Sequence, residues 1–190
     1  DEGKRYVGRR LIDVPDPKGC HANWVEHYWV DFGGVLDRFT PDIRIVTTTE
    51  AYRNPEMQAV VREIVSRAEE VRAVVNRYRE RHPYPAGWLP FEAFCESCGK
   101  IGARTLAVRG TVAEYECGRC GSKGRSALEK GKLNWRLEWP ALWKVYRVDI
   151  EPFGKDHATP GGSRDSCKEI CETILRTRAP MGIPYEWVAQ

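Results

Sequence analysis

The chain has 190 residues, 42% of them hydrophobic and 30% charged, enough for one large domain or two small ones with a buried core. No apolar run approaches the roughly 20 residues of a membrane span, and a net charge of +3 does not by itself argue for nucleic acid. Seven cysteines, an odd number, exclude a complete disulfide framework; their grouping points to metal and reduced thiols, and so to the cytoplasm.

Asp1 to Pro17 is charged, contains Pro15-Asp16-Pro17 and reads as a loop. Cys20-His21 has the makings of a ligand pair, but with no second pair close by it reads as packing. From Asn23 to Phe39, Trp24, Tyr28, Phe32, Val35 and Leu36 recur at three-to-four spacing, which predicts an amphipathic helix. Ile43 to Thr49 is β-branched and of strand length. From Pro55 to Arg81 the apolar positions again keep helical spacing, predicting one long helix with a solvated Arg/Glu face, ended by His82-Pro83-Tyr84-Pro85.

Cys95-Glu-Ser-Cys98 and Cys117-Gly-Arg-Cys120 form the paired CxxC pattern of a four-cysteine zinc site. Gly99 and Gly121 follow the two knuckles, and Thr105–Arg109 and Thr111–Tyr115 form a hairpin through Gly110. The expected element is a zinc ribbon whose Zn2+ is structural, because four thiolates leave no open position for chemistry. Residues 99–136 also hold nine Lys or Arg against three Glu, so Arg109, Lys123 and Arg125 are candidate RNA contacts. A lobe merely stapled by its metal accounts for the same residues equally well.

In residues 135–157, WRLEWPALWKVYRVDIEPFGKDH, three tryptophans stand four apart and share one helix face. Pro140 fits a helix start better than a helix middle. A short apolar run, Val148 to Ile150, then delivers Lys155, Asp156 and His157 past a turn, where open α/β sheets place ligand chemistry. Thr159 to Ser163 is a loop. Asp165 to Arg178 reads as a helix with a Ser166…Glu169 capping box, Cys167 and Cys171 as buried thiols, and Met181 to Val188 as a strand.

The pieces VPDPKGCHANWVEHY (14–28), the tandem CxxC insert, KLNWRLEWPALW (132–143), VDIEPFGKDHATPGGSRDS (148–166) and APMGIPYEWV (179–188) resemble, in this order, the archaeal-type class I lysyl-tRNA synthetases. The resemblance runs over nearly the whole chain. It implies a ligase that activates lysine with ATP and Mg2+ and passes it to its tRNA. The implied fold is α/β, part of a Rossmann-type sheet interrupted by a helical and zinc-ribbon insertion. Residues 1–52 and 135–190 would be two parts of the catalytic domain and 53–134 the insertion that meets the tRNA acceptor stem. By the same resemblance Trp135, His157, Tyr185 and Gly154 bind substrate, and Asp156 and His157 are catalytic.

The family's first nucleotide motif, its Lys-Met-Ser-type loop and its anticodon-binding region have no counterpart here. The expectation is therefore a central fragment, inactive alone, with strand three at Ile43–Thr49 and strands four and five at 148–152 and 183–188. The joining strands would come from a further segment or a partner chain. The competing reading is a non-catalytic zinc-ribbon RNA-binding module.

Overall fold

In the computed structural model, which describes residues 2–40 and 42–186, Asn23 opens the first long helix. Its side chain accepts the Glu26 N–H at 3.0 Å and so caps α1, Trp24–Phe39. The periodicity of this helix is as expected, but its apolar face is not covered. Gly33 is its one buried residue, while Tyr28, Phe32, Val35 and Phe39 are exposed.

The β-branched run that followed does not form a strand. Ile43 to Val46 are exposed and unpaired in any sheet, and Thr47 instead caps α2, Thr48–Arg53. Thr47 and Glu50 exchange side-chain and backbone hydrogen bonds, a capping box written in the sequence as T-x-x-E. A strand needs a partner; the local cap does not.

The long helix is two helices, α3 (Pro55–Ser66) and α4 (Ala68–Arg77). At the break the Ser66 hydroxyl donates to Glu63 O at 2.8 Å, competing with the backbone ladder. The Arg67 side chain reaches across to the carbonyls of Thr173 and Ile174, tying the break to the C-terminal part of the chain.

Five strands follow as one antiparallel sheet: β1 (Phe91–Cys95), β2 (Lys100–Arg109), β3 (Val112–Glu116), β4 (Lys123–Ala127) and β5 (Lys132–Leu133). Their order is β4-β3-β2-β1-β5. The hairpin through Gly110 is present, with Gly110 at φ +59°, where a glycine avoids the Cβ penalty. At Gly131, just before β5, an added Cβ would lie 2.6 Å from Glu92 O and 2.7 Å from the Phe91 ring.

Helix α5 (Trp135–Tyr146) carries Pro140 in its interior, not at its start. Proline has no N–H to offer the carbonyl four residues back. That carbonyl, of Arg136, instead accepts the Cys167 thiol at 3.4 Å from α6 (Ser163–Glu169). A neighbouring helix thus repairs the gap. The Ser166…Glu169 capping box is not formed, because α6 begins a turn earlier at Gly162. Ser166 is buried, donating to Ser163 O and accepting from Arg136.

The parallel pair β6 (Ile150–Gly154) and β7 (Met181–Tyr185) flanks α6, giving a β-α-β unit. It accounts for the expected fourth and fifth strands; residues 187–188 of the latter lie outside the described residues. The main core joins Met57, Ile64, Phe91, Leu133, Leu137 and Ile174. A second cluster gathers Trp139, Trp143, Phe153, Cys167 and Cys171. Among the described residues no helix is long and apolar enough to cross a membrane.

Candidate functional site

Two of the α5 tryptophans are core, as the second cluster shows, but Trp135 is 47% exposed. Its ring stacks on Trp139 with centroids 5.1 Å apart. The tight turn Lys155–Ala158 after β6 brings His157 over both indoles, at 5.8 Å from Trp135 and 5.4 Å from Trp139. Glu151 on β6 accepts the Trp139 indole N–H at 2.7 Å and so fixes the inner ring that supports the outer one.

In the parallel register Gly154 stands opposite Tyr185, which is exposed, at the same end of the strand pair as the Lys155–Ala158 turn. Trp135, Gly154, Asp156, His157 and Tyr185 are thus gathered about the C-terminal ends of β6 and β7. An added Cβ at Gly154 would sit 2.6 Å from Asp156 Oδ1, so the glycine leaves room for that carboxylate. Asp156 Oδ2 lies 3.6 Å from His157 Nε2. The arrangement offers an aromatic wall for an aliphatic chain beside carboxylate and imidazole groups for a cation or a proton.

Three side chains outside the sequence motifs' obvious candidates hold this end together. Arg136 donates to Gly162 O at 3.2 Å and to Ser166 Oγ at 2.5 Å. Arg164 lies over the Trp143 ring at 4.6 Å and the Phe153 ring at 5.0 Å, and donates to Pro180 O. Glu151 is the third. The signal for Arg136 and Glu151 was their place inside WRLEW and IEPFG. Cys167 and Cys171 are buried, and that burial pushes both thiols up to about 12, so they remain protonated packing groups.

At the other end of the five-stranded sheet the four cysteines converge. Cys95 and Cys120 sulfurs are 3.6 Å apart, and Cys98 and Cys117 sulfurs 3.8 Å. A tetrahedral zinc with Zn–S of about 2.3 Å needs sulfur separations of about 3.8 Å, so the donor set fits the metal. The Gly99 and Gly121 N–H groups close the two knuckles onto Cys95 O and Cys117 O, both at 2.8 Å, with each glycine at positive φ.

Arg109, Lys123 and Arg125 are all well exposed along the sheet, and each is beside a glutamate of β3. Glu114 pairs with Arg109 and Arg125; Glu116 pairs with Lys123 and with Arg104, which the sequence reading left out. Four bases against two acids leave this ladder positive. The cross-strand register, not the linear sequence, brings Arg104 into it.

Cys20 is not packed. It is exposed, and its sulfur lies 3.1 Å from His21 Nδ1 and 3.2 Å from His27 Nδ1.

The model of the family described as tRNA synthetases class I (K) matches residues 1–190. The lysine–tRNA ligase of Aeropyrum pernix is 47% identical over 189 residues, covering 98% of this chain and 34% of the relative. Those of Methanosphaera stadtmanae and Archaeoglobus fulgidus are 37% and 33% identical, over 97% and 99% of this chain. The chain spans about a third of the length of these relatives.

Proposed function

Because the chain belongs to the class I (K) tRNA synthetases, we propose that it forms the central part of a lysine–tRNA ligase, which uses ATP to attach lysine to tRNA. The observation that carries this reading is the exposed Trp135 stacked on buried Trp139 beneath His157. An indole face covers the methylene stem of lysine, while His157, Asp156 and Tyr185 border the space for its amino and carboxyl groups. Gly154 and Asp156 lie towards the ATP ribose and the aminoacyl group. His157 orients the reacting carboxylate and the acceptor-only Asp156 carboxylate holds an amine or a ribose hydroxyl beside it, since phosphoryl and acyl transfer here depend on positioning and charge stabilisation.

In this reading residues 1–52 and 135–190 belong to the Rossmann-type catalytic part and residues 53–134 are the inserted acceptor-stem lobe. The four cysteines hold a structural Zn2+ that makes the lobe a zinc ribbon, and Arg109, Lys123 and Arg125 meet RNA phosphates. ATP with Mg2+ is co-substrate of the complete ligase, and a cytoplasmic location accords with free thiols. The competing function, an RNA-binding module without ligase activity, is favoured by the basic ladder taken alone.

Lysine calorimetry separates the two. In the complete ligase, Trp135→Ala weakens lysine binding at least tenfold and leaves tRNA affinity within twofold. Unchanged lysine binding, or an equal loss of tRNA affinity, overturns the pocket assignment.

A further inference from the structure

Between α4 and β1 the chain turns through residues 78–90, and three side chains of this turn form a stack apart from both the cysteine knuckles and the aromatic site. The Trp88 ring packs against the main core. Tyr84 lies on it, with ring centroids 3.8 Å apart and planes 3° from parallel. The Arg79 guanidinium lies over the Tyr84 ring, 4.3 Å from its centroid. Trp88 occupies one face of that ring, so Arg79 takes the other and is the outermost of three layers.

The stack is held in place from several directions. Asn76 Oδ1 accepts the Tyr84 N–H at 2.8 Å, and Asn76 Nδ2 donates to Tyr84 O at 3.0 Å, clamping the backbone that carries the ring. Arg79 Nε donates to His82 O at 3.1 Å, which orients the guanidinium plane. Its terminal nitrogens have no hydrogen-bond partner among the described residues. Arg81 and His82 beside it are exposed, and Glu80 is the one acid of the turn. The Tyr84 hydroxyl accepts the Asn134 side-chain amide at 2.9 Å. Asn134 in turn caps α5, whose first residue is Trp135. One residue therefore joins the stack to the exposed indole of the aromatic site.

We infer that Arg79, Tyr84 and Trp88 form a base-stacking platform for an unpaired nucleotide of the RNA end that comes to the aromatic site; this rests on the tRNA reading above. The chemistry of the outer layer selects the ligand. A guanidinium is planar and weakly hydrated, so a nucleobase adds to it as a fourth layer, while its free N–H groups donate to base edges or to the adjoining phosphate. Bases inside a duplex are already stacked on their neighbours, so the nucleotide that fits is single-stranded. The clamped layers are ordered before binding, so little conformational freedom is lost when the base arrives. The acceptor must reach the lysine carboxyl with its last nucleotides unpaired, and a platform tied to the start of α5 lies on that approach.

The test compares two RNA hairpins on the complete ligase: a tRNA acceptor stem with its single-stranded 3′ end carrying 2-aminopurine, and the same stem cut blunt. The unmutated ligase should bind the overhang form more tightly and quench its fluorescence. Arg79→Lys keeps the charge and removes the plane. It should therefore lose about tenfold in affinity for the overhang form, with the quenching, and bind the blunt stem as before. Retention of the overhang preference in Arg79→Lys overturns the inference, as does an equal loss on both hairpins or no overhang preference in the unmutated ligase. Lysine calorimetry on Trp135→Ala reads the pocket separately, so failure of the platform and failure of the lysine assignment are told apart.

Discussion

Removal of a single hydroxyl, in Tyr52→Phe, tests how the helical segment is joined to the aromatic site. Tyr52 is 2% exposed; its hydroxyl donates to Glu138 Oε2 at 3.0 Å and accepts the Leu133 N–H at 2.5 Å. One oxygen therefore couples α2 to β5 and to α5, which carries Trp135. Phenylalanine keeps the ring and its apolar contacts, so the loss is confined to two hydrogen bonds. An orphaned buried N–H costs about 1–3 kcal/mol, and a half-buried carboxylate without its donor about 1 kcal/mol more, for about 2–4 kcal/mol in all.

The pH dependence supplies a second readout. Burial raises the Glu138 carboxyl above its usual value, and the Tyr52 hydrogen bond opposes that rise. A group with a raised folded value contributes stability that is complete below its unfolded value and is lost as pH rises through the folded one. Tyr52→Phe raises the folded value further, so its deficit is largest at neutral pH and shrinks towards about pH 4, near the unfolded glutamate value. Urea denaturation at both pH values is the assay, with a neutral-pH midpoint shift of about 1–2 M at a slope of about 2 kcal/mol per molar. A loss under about 0.5 kcal/mol, or one independent of pH, refutes the reasoning.

Serine at Cys95 or Cys117 should release the zinc of the knuckles and expose amides of β1 to β4 to hydrogen exchange; retention of that metal, read by elemental analysis, would disprove four-cysteine ligation. Reversing Arg109, Lys123 and Arg125 to Glu should reduce RNA affinity and flatten its dependence on salt, since each lost phosphate contact removes about one counterion from the slope. An unchanged slope in filter binding would make the ladder a solvated surface. Gly131→Ala should cost about 1–3 kcal/mol, because the new Cβ meets a backbone carbonyl that cannot swing aside. A melting temperature equal to that of the unmutated chain would contradict this.

The legible parts of this chain were those in which one local signal had no rival. Four cysteines at CxxC spacing announced their cluster, and the α1 periodicity its helix, although spacing says nothing about whether the apolar face finds a partner. Thr47 to Glu50 failed because two local signals coexist: three threonines favour a strand, while T-x-x-E favours a cap, and the cap won where no strand among the described residues pairs with this run. Pro140 failed differently, since its tolerance depends on Cys167, a tertiary contact. The approach of Cys20 to His21 and His27 was hidden because the spacing is irregular: the Asp16 carboxylate folds the loop by accepting the Cys20 and His21 N–H groups, and His27 arrives separately on α1.

The bond between the Arg136 carbonyl and Cys167 has an evolutionary consequence. Proline at 140 creates an acceptor that only a neighbour can fill, and the thiol at 167 is a small, weak donor that fits beneath the tryptophans. If 140 becomes alanine, the helix reclaims its own carbonyl, and selection for a donor at 167 relaxes. If 167 becomes valine first, the carbonyl is stranded while proline remains. The order of mutation therefore matters: the path through alanine at 140 is open and the path through valine at 167 is not. These two positions should drift as a directional pair.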